Sequence, residues 1–194
     1  GVEQWDIRFP GIITAFSELF DQFFCLFLFL LIAAAYALFV LNDNRRIYSA
    51  AENVQADMLK LKPDKEQPDF SKLCSINPDV CAWITMDGTH IDFPVLQGES
   101  NLTYINRDVY GKFALAGSIF LDSQNAKDFS DSYHLLYGHH MDGGNMFGDL
   151  DLYKKPEFFE KKCYRNTAFA RSGLQLESGS RIGYRGVRSI YLSI

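Results

Sequence analysis

Basic side chains are in short supply. The 19 lysines and arginines are outnumbered by 24 acids, for a formal net charge of −5. A protein that neutralises a phosphate backbone needs a basic face, so a nucleic-acid partner is excluded. Cysteine is scarce as well, with only Cys25, Cys74, Cys81 and Cys163. None has CxxC spacing, which argues against a zinc knuckle or a thioredoxin-like site. Cys74 and Cys81 fit either a disulfide or two small buried residues. No internal repeat or low-complexity tract is present, and no acid stands at a recognisable ligand spacing from the histidines. Neither a metal nor a cofactor is expected.

Charge is missing altogether from Phe23 to Leu41, nineteen residues. At ~1.5 Å rise per residue, a helix of this length nearly spans a ~30 Å hydrocarbon core. The run is long for the apolar part of a signal peptide and no small-x-small cleavage site follows it. Residues 23–41 are therefore expected to cross a membrane, with residues 1–22 preceding the span. Flanking arginines alone, Arg8 before and Arg45 and Arg46 after, place the C-terminal side in the cytoplasm.

Beyond the span, Ile47, Ala51, Val54, Met58 and Leu61 form one apolar stripe at helical spacing, predicting a helix over about 46–61 that Pro63 stops. Lys62 to Gln67 is a charged linker, and residues 42–70 together read as a helical stalk. A short helix is expected over 70–76, ended by Asn77 and Pro78. Strands are expected at 81–86, 91–96, 117–122 and 134–139, with a turn at Asp87-Gly88. Pro94 marks its strand as an edge or a bulge. Residues 101–106 suggest one helical turn, and 149–162 a charged helix. Short strands with few helices suggest a mixed β-barrel or sandwich.

The most informative stretch is Tyr137-Gly138-His139-His140 with the Gly-rich loop after it. An apolar strand delivers imidazole to the rim of a sheet, where it can serve as an acid or base. Neighbours on a strand face opposite ways, so His139 and His140 do not both face one cleft; alternation does not say which one does. A metal site built from His134, His139 and His140 would need three converging ligands, and only His134 and His140 share a strand face.

Three runs carry a resemblance: NPDVCAWITMDGTHIDFPVLQG, GSIFLDSQN and LLYGHHMDGGNMFGDL. Together they resemble the class B sortases, over about Ser71 to Lys162. The resemblance implies a mainly β fold with flanking helices, a sortase-type β-barrel that is incomplete here, behind one N-terminal transmembrane helix. It implies a membrane-anchored cysteine transpeptidase of Gram-positive bacteria. Such an enzyme cleaves a C-terminal sorting motif and attaches the surface protein or pilin to an amine of a cell-wall precursor or pilin. It further implies a single-pass protein with a cytoplasmic N-terminus and an extracellular C-terminal domain, against the arginine count. Of the histidines, the resemblance selects His139 as catalytic. It assigns Tyr137 to the substrate pocket and Asn101 and Ile105 to the groove for the sorting peptide. Asp122 lies in the matching strand with no role attached.

The chemistry of that family needs a Cys nucleophile, a His proton donor and an Arg near the oxyanion. The nucleophile lies in a Thr-Leu-x-Thr-Cys strand, and the Arg on the strand after it. No such motif follows His139. Cys163 directly follows a charged helix and has no Thr-rich strand in front of it. From Cys163 on there are five arginines, no lysine and one acid, Glu177, whereas ten lysines and four arginines precede it. Strand alternation returns only at 189–192. Residues 71–162 are thus expected to be a partial sortase domain. Residues 163–194 are expected to be an atypical tail, not native to the fold, from a frame change or a truncation. The expected consequences are open sheet edges, poor folding of residues 42–194 alone, and a chain without activity. The alternative is a non-catalytic, membrane-anchored remnant that binds sorting peptides.

Overall fold

The computed structural model describes residues 10–64, 67–162, 166–170, 175–178 and 189–193. The chain divides into two units, residues 1–45 and 46–194. In the first, large apolar side chains from Leu19 to Leu41 are exposed, the reverse of a soluble core helix. The helix α1 runs over Pro10–Leu59. Its most apolar stretch reaches a mean hydropathy of 2.8 and is long enough to cross a membrane. The expected span and stalk are thus parts of one helix: no proline or glycine interrupts residues 12–59.

In the second unit the stripe packs as its spacing predicts. Met58 is buried, and Ala51, Val54 and Leu61 pack against the core. Helix α2 spans Ser71–Ile76 and buries Leu73. The Asp69 carboxylate accepts from Ser71 N (2.8 Å) at its start, and extended Asn77 before Pro78 ends it.

Seven strands follow: β1 (Val80–Met86), β2 (Asp92–Leu96), β3 (Ile119–Leu121), β4 (Tyr133–Tyr137), β5 (Asn166–Ala170), β6 (Gln175–Ser178) and β7 (Ser189–Ser193). They form one sheet in the order β6-β5-β1-β2-β3-β4-β7. The pairs β2–β3 and β4–β7 are parallel and the others antiparallel. The sheet curls into a half-barrel, bringing its edge strands β6 and β7 near each other outside the ladder. The fold is mainly β with flanking helices. Residues of the 163–194 tail, read above as foreign to the fold, form strands that pair with β1 and β4. Those two strands would otherwise present unpaired backbone, and any extended segment in reach satisfies it. Cys163 lies outside the described residues.

Several expectations change. Pro94 is on neither an edge strand nor a bulge: β2 lies between β1 and β3. It pairs with β3 only at Val95 and Leu96, so Pro94 has a ladder neighbour on one side alone. The irregularity falls instead at Cys81, between the Val80 and Ala82 pairings. Residues 101–106 form turns and bends, not a helix. The charged helix at 149–162 is two pieces, a 3-10 helix (Gly148–Lys154) and α3 (Pro156–Lys162), broken at Lys155. Pro156 at the first position of α3 has no N–H to offer the preceding turn. Strand β4 stops at Tyr137, so His139 and His140 lie past its end.

Candidate active site

The site is assembled where three loops meet: one between β2 and β3 (97–118), one after β3 (122–132) and one after β4 (138–147). Gly138 allows β4 to hand the chain over to the third. A Cβ there would run into Ile119 and Phe147, both buried. Phe147 N donates to His139 O (2.9 Å), and His140 bridges Met146. The loop turns at Gly143 and Gly144, both at positive φ (70° and 81°).

These constraints send the two imidazoles apart. His139 places Nε2 2.7 Å from the carbonyl oxygen of Ile105, in the first loop. His140 places Nε2 3.1 Å from Asp151 of the 3-10 helix. His134 is buried in the core with its ring 4.8 Å from Phe129. The three rings go to three different partners, and no group of three metal-ligating side chains occurs among the described residues.

The other candidate residues meet at Asp122. Asn101 Nδ2 and the Tyr137 hydroxyl each donate to Asp122 Oδ2 at 2.9 Å. Gln124 N donates to Oδ1 (2.8 Å), and Ser123 N donates to Asn101 Oδ1 (2.7 Å). The Tyr137 ring stacks on Phe120 at 5.3 Å. Burial works to raise the Asp122 pKa, but the bonds from Gln124, Tyr137 and Asn101 outweigh it and hold the carboxyl below its ordinary range. The same bond, followed by burial and the carboxylate charge, pushes the Tyr137 phenol up. The four residues singled out in the sequence, Asn101, Ile105, Tyr137 and His139, are therefore paired by two separate contacts, Ile105–His139 and Asn101–Asp122–Tyr137. Asp122 is the hub that sequence reasoning passed over. Its only signal was an acid closing an apolar strand.

The described cysteines are elsewhere. Cys25, Cys74 and Cys81 are free thiols, so no Cys74–Cys81 disulfide forms. Cys81 is buried, donates to Val95 O (3.4 Å), and burial pushes its thiol up to about 12. Cys74 lies part-buried near Val80 O.

No family model matches the chain. Among curated proteins, sortase B of Staphylococcus aureus (strain NCTC 8325 / PS 47) is 40% identical over 120 residues, 62% of this chain and 49% of that protein. Among solved structures, a Streptococcus pyogenes class B sortase described as involved in pilus biogenesis matches with a TM-score of 0.54 and 45% identity. That match covers 57% of this chain and 60% of the other. Sortase B from B. anthracis matches at a TM-score of 0.55 and 30% identity, covering 70% and 64%.

Over the matched residues the chain is similar to the class B sortases.

It spans about half the length of the curated sortases it matches. The site described above is the part of a sortase fold carried by β2, β3, β4 and their loops. Strand β7 runs parallel beside β4, with Ser193 level with Tyr137. The C-terminal end of β7 is thereby directed toward the level of His139.

Proposed function

We propose that this chain carries the histidine side and the peptide groove of a class B sortase transpeptidase. His139 is its acid/base, and Asn101, Ile105 and Tyr137 are its substrate-binding residues. The observation that carries the reading is the pair of contacts that ties His139 to Ile105 and, through one carboxylate, Asn101 to Tyr137. In the reaction a thiolate attacks the carbonyl of the sorting motif. The C–N bond breaks, the leaving amine takes a proton from His139, and a thioacyl intermediate remains. A second amine, from a cell-wall precursor or a pilin, then displaces the thiol and becomes the new amide. The apolar stretch of α1 fits a single membrane span, with the sortase domain on the outer side, where surface proteins and wall precursors are found.

No described cysteine fits the nucleophile: Cys81 is buried and protonated, Cys74 lies within α2 with its thiol toward Val80 O, and Cys25 lies in the apolar helix. We therefore read the 194-residue chain, taken alone, as binding sorting peptides without turning them over. The test is a fluorescent sorting-motif peptide, read for binding by anisotropy and for cleavage by loss of quenching. Binding without cleavage is expected. Thiol-dependent cleavage abolished by Cys163→Ala would overturn the reading of the nucleophile, and absence of binding would overturn the groove.

A further inference from the structure

We infer that the Ile105 carbonyl is a fixed acceptor for His139 Nε2, so that the proton this histidine exchanges moves through Nδ1, and that Gly117 is the positioning residue which makes this possible. The inference rests on the proposed acid/base role of His139 and assigns that role to one ring nitrogen.

The geometry is a 2.7 Å contact between Nε2 and a carbonyl oxygen. A carbonyl only accepts, so Nε2 carries the hydrogen. In the neutral ring Nδ1 then holds the lone pair. In the charged ring both nitrogens carry hydrogen, and Nδ1–H is the one not held by Ile105. When the leaving amine departs, the C–N electron pair goes to its nitrogen, which takes the Nδ1 proton. The ring is left neutral with Nε2–H still bonded to Ile105 O. In the second half-reaction the incoming amine attacks the thioacyl carbon and returns a proton to Nδ1. Nε2–H stays in place throughout.

The carbonyl is set in a strapped loop. Ser118 N donates to Tyr104 O (3.1 Å), the Ser118 hydroxyl donates to Arg107 O (2.7 Å), and Ala114 N donates to Asn106 O (3.1 Å). The buried Tyr104 is anchored below, with its hydroxyl donating to Asp79 Oδ2 (2.8 Å) and accepting from Asn77 Nδ2 (2.9 Å). The strap closes because residue 117 is glycine. Its φ is +60°, and a Cβ there would run into the carbonyl oxygens of both Ile105 and Tyr104. Any side chain at 117 has to push away the group that orients His139.

The test uses the full chain in detergent micelles with ring-¹⁵N histidine. His90, His134, His139 and His140 are assigned by single replacements. Two-bond ¹H–¹⁵N correlations report the tautomer, and exchange of the ring N–H with water reports its protection. His139 is expected as a single Nε2–H tautomer, exchanging about tenfold slower than the exposed ring of His90. Gly117→Ala is expected to abolish that protection and mix the tautomers, leaving His140 unchanged. Ser118→Ala, which removes one strap and no backbone freedom, is expected to give a smaller loss and serves if Gly117→Ala does not fold. An Nδ1–H tautomer at His139, or unprotected Nε2–H in the unaltered chain, overturns the inference. Sorting peptide added to the same sample separates the two claims. Absence of binding with protected Nε2–H sinks only the proposed function, and binding with an Nδ1–H tautomer sinks only this assignment.

Discussion

Two carboxylates, Asp92 and Asp122, are held by similar devices in two regions of the domain and face different tasks. Asp92, at the start of β2, accepts from Trp83 Nε1 (2.7 Å), Thr85 Oγ1 (2.8 Å) and Lys62 Nζ (2.7 Å to both oxygens). Lys62 also lies 6.0 Å over the Trp83 ring. Every partner of Asp92 belongs to the β1–β2 hairpin or to the segment after α1, and Trp83 is fully buried. Asp122, just past β3, instead gathers Asn101 from the loop between β2 and β3 and Tyr137 from β4. One hub ties the chain leaving α1 to the sheet. The other ties the loop between β2 and β3 to β4, where the peptide groove is proposed. The donors are alike, so the difference lies in what each hub is connected to.

The largest effect is expected from Asp92→Ala. It strands the buried Trp83 N–H and leaves Lys62 without its partner, at about 2–4 kcal/mol of stability. Thermal unfolding of the full chain reads this, and sorting-peptide affinity below the transition should not change. Asp122→Asn is the converse. It costs about 1 kcal/mol of stability or less, but it sets an amide N–H where Asn101 and Tyr137 both donate. Peptide binding is expected to weaken about tenfold, roughly 1.4 kcal/mol. If the two variants lose equal stability and Asp122→Asn leaves binding intact, the distinction between the hubs fails.

A pH titration sharpens the same comparison. The Asp122 pKa is depressed in the folded state, so its contribution is present above the ordinary carboxylate range and lost as pH falls through the lowered value. The Tyr137 pKa is raised, so its contribution is present below the ordinary phenol range and lost as pH rises through the raised value. The Asp122–Tyr137 bond should therefore persist across neutral pH. Tyr104 and Tyr110 are also pushed up, chiefly by burial, so phenolate absorbance should show several late-titrating tyrosines. The Tyr137 share, identified by its loss in Tyr137→Phe, should move earlier in Asp122→Asn and stay put in Asp92→Ala. The smallest effect is expected away from both hubs. Cys81, with its thiol pushed up to about 12, should resist alkylation at pH 8 until the chain unfolds. Cys81→Ala should leave peptide binding unchanged. Rapid labelling of Cys81 in the folded chain would contradict its placement in the core.

Much of the fold was legible because local signals are strong where apolar periodicity and turn residues agree. The stripe through Val54 and Met58, the strands expected at 81–86 and 91–96 and found at Val80–Met86 and Asp92–Leu96, and the apolar helix all follow from patterning. Pro94 misled because a proline is compatible with an interior strand wherever the neighbouring strand is short, and the length of β3 is not a local property. Loop 101–106 misled because its polar spacing resembles a helical turn, while Tyr104 is drawn inward by Asn77 and Asp79. In the tail, β5 and β6 carry weak local preference and are paired by the open edge of β1. The candidate site residues were proposed through the family resemblance, with His139 preferred over His140. Asp122 and Gly117 were not, since each acts on residues distant in sequence.

The sequence by itself carried the uncharged apolar run and the short strands of a mainly β class, which depend on residue type and near-neighbour spacing, while the preference for His139 came through the resemblance to class B sortases. Only the tertiary structure decided which nitrogen of His139 is tied and to what, that Asp122 joins Asn101 to Tyr137, and that Gly117 lets a carbonyl reach the imidazole. Those contacts join residues 15 to 34 positions apart. A hydrogen bond is decided within a few tenths of an ångström, a precision that only the packed sheet and its loops supply.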